Sequence, residues 1–365
     1  MSADTSNNGD IYNINLLDSI YGSYVKLDRL ANLVFETYSN SSIESATKLN
    51  VFIDINSVIH ALYSEHNRVQ YTSITDLSSG IINLCAHYRG YFRTIGVDTR
   101  FFLINSNNAH PISIKILPDY NSTFRGKCAV TKTNKLISNN MNLLKILCPY
   151  LPGIYYIESV EQYDAGVIIA HIIETMGTAI PNLIISKDLY TLQLTAMYPY
   201  TSYLRPVKKY RDDQSWMLPI NEKDNFRKEF WDKVNIVRSY SVKGMYEISP
   251  INFPLFMALT KFPERSLPSI TGPSQAAKII SSIVGGEDIK INSNQILTNS
   301  DIASKYPVAE IDARYKVLDI QYLLSYYRNS PEAKEIKFLD LEDSATVNKI
   351  SSKYYANNPL NLLNL

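Results

Sequence analysis

The apolar run Val51-Phe-Ile-Asp-Ile-Asn56 ends in a carboxylate and an amide, and it sets the architecture expected of this chain. Short continuous apolar runs are typical of strands buried on both faces of a parallel sheet. Similar runs predict strands at 100–105, 153–157 and 182–186, and helical periodicity predicts helices at 57–63, 74–95, 138–149 and 163–176. Strands that alternate with helices predict a central, mainly parallel sheet flanked by helices.

Polar side chains stand at or just after the ends of these predicted strands. They are Asp54, Asn105, Glu161 and Asp188. Because parallel sheets bind ligands beyond the carboxyl ends of their strands, we expect these side chains to meet at one rim. Asp54 and Asp188 could also cap the helices that follow them, and this structural role is compatible with a functional one.

Composition limits the classes of function that remain. The 365 residues are 45% hydrophobic, which predicts a folded globule, and the net charge of +1 means that any nucleic-acid surface must be a local patch. The three cysteines have no metal-ligand spacing and are expected to be reduced: Cys85, Cys128 and Cys148. The sequence has no secretion signal and no apolar run of about 18 residues, so no membrane association is expected.

Two further segments carry a more specific signal. Ser186-Lys-Asp-Leu-Tyr-Thr-Leu-Gln-Leu194 resembles the Ser-Gly-Asp-x-Asp-x-x-Gln-Leu motif of the 5′-nuclease (flap endonuclease) superfamily, and Glu161-Gln-Tyr-Asp164 resembles its acidic helix start. Asp54 matches the aspartate of the family's first strand. The resemblance covers roughly residues 48–290 and implies a PIN-like α/β domain with a helix-hairpin-helix lobe.

The chain departs from the family at several positions that should carry carboxylates. Asn105, Tyr163 and Tyr190 stand where the resemblance calls for acids. The remaining acids are enough for at most one Mg²⁺: Asp54, Glu161, Asp164 and Asp188. A two-metal mechanism needs carboxylates for both ions, so the resemblance implies a catalytically impaired member.

Candidate nucleic-acid contacts also follow from the resemblance. Arg125 corresponds to a family residue that approaches the scissile phosphate, and it would be catalytic together with the four acids if the protein is active. The segment Leu267-Pro-Ser-Ile-Thr-Gly-Pro-Ser-Gln-Ala-Ala277 resembles a helix-hairpin-helix. With Arg125, its candidate contacts are Gly272, Pro273, Ser274 and Lys278, since helix-start N–H groups can hold a phosphate.

The domain organisation expected from these patterns has four parts. They are an N-terminal helical extension at 1–47, a 5′-nuclease-like domain at 48–235, a helix-hairpin-helix lobe at 236–330 and a C-terminal segment at 331–365.

The sequence leads to one preferred function and two alternatives. The preferred one is a degenerate 5′-nuclease-like protein that binds DNA, RNA or a protein partner. One alternative is an active Mg²⁺-dependent 5′-nuclease with a reduced acid set, and the other is a viral assembly scaffold that contacts partners through its N-terminal helix or C-terminal tail. The 27 tyrosines, with abundant Asn and Ile, suggest an AT-rich, bacteriophage-like origin and hence a place in the host cytoplasm.

Overall fold

The computed structural model describes most of the chain between residues 48 and 335. The described ranges are 48–56, 76–94, 97–106, 111–120, 132–159, 161–178, 180–186, 188–198, 200–204, 240–242, 246–261, 267–285 and 290–335. The predicted N-terminal extension, the predicted helix at 57–63, Arg125 and the C-terminal tail beyond residue 335 lie outside them.

A five-stranded parallel sheet forms the centre of the protein. Its strands are β1 (Lys48–Asp54), β2 (Asp98–Asn105), β3 (Ile154–Glu158), β4 (Asn182–Ile185) and β5 (Thr201–Leu204), in the order β3-β2-β1-β4-β5. All neighbouring strands are parallel. The predicted parallel sheet with flanking helices is therefore confirmed, and β5, a short edge strand, was not predicted.

The order of the strands reverses direction beside β1. The chain moves outward from β1 to β2 and β3, then returns to the other side of β1 to form β4 and β5. In parallel sheets, ligands generally bind beyond the carboxyl ends of the two strands at such a reversal, which here are β1 and β4. Asp54 is the last residue of β1, and Ser186 directly follows β4.

Aromatic side chains tie three neighbouring strands together. Phe52, Phe102 and Tyr155 occupy one register row across β1, β2 and β3. Their rings stack with centroids 4.9 Å apart for the first pair and 5.1 Å for the second. Cross-strand aromatic pairs stabilise a sheet beyond the burial of their area. This row fixes the register that brings the strand ends level.

Helices cover the sheet and continue into a C-terminal lobe. Beside the sheet they are α1 (Asp76–Thr94), α2 (Pro111–Ile116), α3 (Lys132–Leu147), α4 (Ala165–Met176) and α5 (Leu194–Met197). A hairpin, β6 (Tyr240–Val242) and β7 (Tyr246–Ile248), precedes the lobe. The lobe helices are α6 (Phe253–Leu259), α7 (Pro273–Val284), α8 (Ser293–Thr298), α9 (Ser300–Ala303), α10 (Val308–Leu318), α11 (Ile320–Tyr327) and α12 (Pro331–Glu335).

Helix α4 lies between the sheet and the lobe. It is apolar almost all round, AGVIIAHIIETM, and eight of its twelve residues are buried. A helix with this composition needs cover on both sides, and lobe helix α11 packs against it. At Gly166 the approach is so close that an added Cβ would lie 2.7 Å from Ile320 Cδ1.

Gln193 links the two layers by hydrogen bonds. Its Nε2 donates to Leu318 O at 2.9 Å, and its Oε1 accepts from the N–H of Ile320 at 3.2 Å. The side chain is buried, so these bonds satisfy main-chain groups where α10 gives way to α11. The lobe is thereby fixed to the segment that follows β4. No helix in the described part of the chain is long and apolar enough to cross a membrane.

Candidate functional site

The carboxyl ends of β1 and β4 hold a hydrogen-bonded group of two aspartates and a serine. Ser186 Oγ donates to Asp54 Oδ2 at 2.7 Å and accepts from the N–H of Asp188 at 3.0 Å. Asp54 and Ser186 are buried, while Asp188 is half-buried. The structure thus brings together two of the predicted site acids, and it adds Ser186 as the residue that joins them.

Asp188 also has the structural role that was left open for it. Its Oδ1 accepts from the N–H of Tyr190 at 3.0 Å, which caps the 3₁₀-helix Leu189–Gln193. Tyr203 of β5 donates to the carbonyl oxygens of Ser186 and Asp188 at 2.9 and 3.2 Å. The loop after β4 is therefore held from both sides, and Asp188 lies in a defined place.

Asp164 and Glu161 lie on the loop between β3 and α4. Asp164 is buried at the start of α4, and the Tyr120 hydroxyl donates to its Oδ2 at 3.4 Å. Glu161 is half-buried, and its backbone N–H donates to Glu332 Oε2 at 2.7 Å. Within the described ranges, no group of three or more His, Cys, Asp and Glu side chains could hold a metal ion. The site formed by all four acids therefore remains a prediction.

The three residues that stand where the resemblance calls for acids have structural roles. Tyr163 is 2% exposed and Tyr190 is 0% exposed, so both rings belong to the core. Burial, and then the Glu161 and Glu332 carboxylates, raise the pKa of Tyr163 to about 12. Asn105 Nδ2 donates to the Tyr156 hydroxyl at 2.9 Å on the neighbouring strand.

The predicted nucleic-acid contacts of the lobe lie at the start of α7. Gly272 and Pro273 are exposed, Ser274 is half-buried, and Lys278 is exposed one turn further on. The preceding turn is tied to α6, because the N–H groups of Ile270 and Thr271 both donate to Leu259 O, at 3.0 and 2.9 Å. The assignment of this segment as a helix-hairpin-helix that binds nucleic acid stays a prediction.

A cavity of about 270 Å³ lies elsewhere, at the seam between the sheet layer and the lobe. Two ion pairs line it, Arg328 with Glu174 and Lys290 with Asp319. Lys290 donates to both Asp319 oxygens and to Gln321, and Arg328 donates to both Glu174 oxygens. The cavity's charges are thus neutralised internally, and none of the predicted site residues lines it.

Sequence reasoning missed three residues that shape the site: Ser186, Tyr203 and Glu332. Ser186 begins the recognised motif, so its position was a usable signal. Tyr203 belongs to the unpredicted strand β5. Glu332 is 171 residues from the loop that it contacts, and nothing in the local sequence indicates that contact.

The chain matches no protein-family model and no curated protein. Solved structures similar to it include a flap endonuclease of bacteriophage T5 described as a pseudo-enzyme–product complex with DNA and metal ions, 14% identical with a TM-score of 0.46. Another is the T5 5′-exonuclease with bound zinc, 11% identical with a TM-score of 0.47. Each match covers 84% of this chain and 98% of the other. At these values the similarity assigns no function to this chain.

Proposed function

We propose that this protein is a degenerate 5′-nuclease-like protein that binds nucleic acid, DNA or RNA, at the carboxyl edge of its sheet and hydrolyses it little or not at all. The observation that carries the proposal is the group Asp54, Ser186 and Asp188 at the carboxyl ends of β1 and β4. It lies where parallel sheets with this strand order bind their ligands. A bacteriophage origin and a place in the host cytoplasm belong to the same proposal.

The carboxylates fit one magnesium ion better than two. Magnesium is usually held by one or two carboxylates, with water completing its shell, and the pair Asp54 and Asp188 supplies such oxygen donors. When bound, the ion would neutralise phosphate charge. Glu161 and Asp164 belong to the proposed acid set through the resemblance, although the described residues form no metal-binding group of three or more acids.

Two residues that stand where the resemblance calls for ligands of a second ion make structural contacts instead. Tyr190 packs against α4, where its ring lies 3.0 Å from a Cβ built on Gly166. The Asn105 amide is engaged with Tyr156. Since two-metal hydrolysis needs charge for both the attacking and the leaving oxygen, these replacements favour binding over cleavage.

Binding is proposed to extend from the sheet edge to the lobe. Arg125 and the start of α7, with Gly272, Pro273, Ser274 and Lys278, are the proposed phosphate contacts. Backbone N–H groups at a helix start and a nearby lysine are suited to phosphate oxygens and carry no sequence preference. The net charge of +1 agrees with a local contact.

The test uses the full chain with end-labelled flap, duplex and single-stranded DNA and RNA, with Mg²⁺ or Mn²⁺, recording binding and cleavage together. The variant Asp54→Asn/Asp188→Asn keeps side-chain size in the buried group. Asp98→Ala is the matched control, because Asp98 is exposed at the opposite end of the sheet. Binding without cleavage, with log K falling by about 0.9 per phosphate contact for each tenfold rise in salt, is the expected result.

Two other results would select the alternatives. Cleavage that persists in Asp98→Ala and disappears in the double variant would show an active nuclease with a reduced acid set. Neither binding nor cleavage at low salt would contradict nucleic-acid recognition and favour an assembly scaffold that binds protein through its terminal segments.

A further inference from the structure

Helix α12, the last in the described part of the chain, is tied across the loop between β3 and α4 by the Glu332 carboxylate. Its Oε2 accepts from the N–H of Glu161 at 2.7 Å and from Ser159 Oγ at 3.4 Å. Its other oxygen, Oε1, accepts from the Tyr327 hydroxyl at 3.2 Å. One side chain therefore connects three segments: the loop, the end of α11 and α12 itself.

A second tether joins α12 to α4. His171 Nε2 lies 3.3 Å from Ala333 O, and because a carbonyl oxygen can only accept, this hydrogen bond requires the tautomer with a proton on Nε2. The His171 ring also meets the Tyr327 ring edge-on, with centroids 5.2 Å apart. The hydrogen bond to Ala333 includes no residue of the loop, so the two tethers hold α12 through different partners.

Helix α12 buries little apolar surface of its own. Of the residues 331–334, only Ala333 is buried. Ser330 Oγ, just before the helix, accepts the Ala333 N–H at 3.1 Å. A five-residue helix that buries one alanine gains little from the hydrophobic effect, and such segments lie at the low end of local stability. The polar bonds made by Glu332 and His171 therefore decide whether the helix stays docked.

The loop that α12 holds has an unusual backbone conformation. Gln162 has a φ of +64°, which L-residues adopt rarely. Such a conformation persists where surrounding contacts determine it. One contact lies within the loop, where the Tyr163 N–H donates to Ser159 Oγ at 2.8 Å, and the same hydroxyl donates to Glu332. Hydrogen bonding to α12 is therefore part of what holds the loop in shape.

We propose that residues 330–335 are a strap that opens and closes together with the β3–α4 loop while the sheet stays folded. Closure pairs the Glu332 carboxylate with two donors of the loop, and opening returns these donors to water. Neither nucleic acid nor a metal ion is needed for this motion. Because the loop begins at the carboxyl end of β3, an open strap changes the shape of the sheet edge at that strand.

Native-state amide hydrogen exchange on the full chain, followed by NMR at low urea concentrations, measures such openings. The reporters are the N–H groups of Glu161 in the loop and Ala333 in the strap. The reference is the N–H of Phe101, which donates to Gly153 O at 2.8 Å in the sheet. Both reporters should share one protection factor, about tenfold or more below that of the reference and nearly independent of urea. Protection equal to that of Phe101, with the same urea dependence, would overturn the strap.

Glu332→Ala removes the first tether. The Glu161 N–H loses its acceptor directly, so the informative reporter is Ala333. Its protection should fall about tenfold or more, as expected when hydrogen bonds to a charged group are lost. Lys334→Ala is the matched control on the same helix, since Lys334 is exposed, and it should leave both reporters within about twofold of wild type. Unchanged protection of Ala333 in Glu332→Ala would contradict the proposal.

His171→Ala removes the second tether and examines the coupling from the other direction. Faster exchange is expected at Glu161 as well as at Ala333, because the loop and the strap open together. Faster exchange at Ala333 alone would show that the two move separately, which overturns the proposal. If His171→Ala does not fold, Ser330→Ala takes its place, because it removes the hydroxyl that accepts the Ala333 N–H, and Glu161 remains the reporter. Comparison with Phe101 in each variant separates strap opening from a loss of global stability.

Discussion

Ser186 Oγ donates a 2.7 Å hydrogen bond to Asp54 Oδ2, which joins the ends of two neighbouring strands that lie 132 residues apart in the chain. The same oxygen accepts the N–H of Asp188. One hydroxyl therefore sets the distance between the two acids that the proposed function depends on most.

Ser186→Ala should destabilise the protein by about 2 kcal/mol. The substitution leaves a buried carboxylate oxygen and a backbone N–H each short of one partner, and hydrogen bonds to charged groups are worth roughly 1.5–3 kcal/mol. The free energy of unfolding from urea titration measures the change. Ser325→Ala is the control, since this exposed serine bonds only within its own helix at Tyr322 O, and it should stay within about 0.5 kcal/mol of wild type. Equal losses in both variants would contradict the assignment.

Gln193→Ala should lower the free energy of unfolding by about 3 kcal/mol, because the buried N–H of Ile320 and the carbonyl of Leu318 both lose the Gln193 side chain as a partner. Gln275→Ala on the exposed side of α7 is the matched control. Urea unfolding followed by circular dichroism gives both values. A Gln193→Ala variant as stable as its control would mean that the lobe does not depend on this side chain.

Gly166→Ala should destabilise the protein by roughly 1–3 kcal/mol through overpacking, despite the better helix propensity of alanine. The new methyl would lie 2.7 Å from Ile320 Cδ1, so Ile320→Val, which removes that atom, should recover part of the loss when the two are combined. Gly272→Ala, where no atom lies within 4 Å of the added Cβ, is the control. Strictly additive losses in thermal unfolding would rule out a clash between the two sites.

Alkaline pH should weaken the fold through Cys85. Burial raises the pKa of this thiol to about 12, so the folded state keeps its proton while the unfolded state loses it above about pH 8.5. The contribution to stability is complete below that value and is lost as pH rises towards 12. The free energy of unfolding at pH 7 to 10 measures this slope.

Cys85→Ala should make the free energy of unfolding depend less on pH between 7 and 10, and it should lower that free energy at pH 7. Thiol labelling offers an independent check in a Cys128→Ser background, where Cys85 and Cys148 are both buried and should react only after unfolding. Rapid labelling of the native variant at pH 8 would contradict the burial of these groups.

The sequence was sufficient for four of the five strands of the sheet and insufficient for the contacts that organise the site. Strands β1 to β4 were predictable because buried parallel strands are continuous apolar runs with a polar residue at the end. Strand β5, Thr201–Leu204, has only four residues and mixes polar with apolar side chains, which gives no such signal.

For the site acids too, the sequence indicated which strand ends come together but not the contacts made by the lobe. Asp54 and Asp188 were predicted to meet because strand ends of a parallel sheet lie at one edge, and they are joined through Ser186. The link from Glu332 to Glu161 depends on how the lobe packs on α4. That packing is a property of the tertiary structure, and periodicity along the chain carries no information about it.

The burial of Tyr190 limits which residues its position can accept. The ring is 0% exposed and lies 3.0 Å from a Cβ built on Gly166, so a carboxylate placed here would be enclosed beside α4, where an unpaired charge is strongly disfavoured. An aspartate at this position would therefore be tolerated only if the packing between α4 and the segment after β4 changed with it.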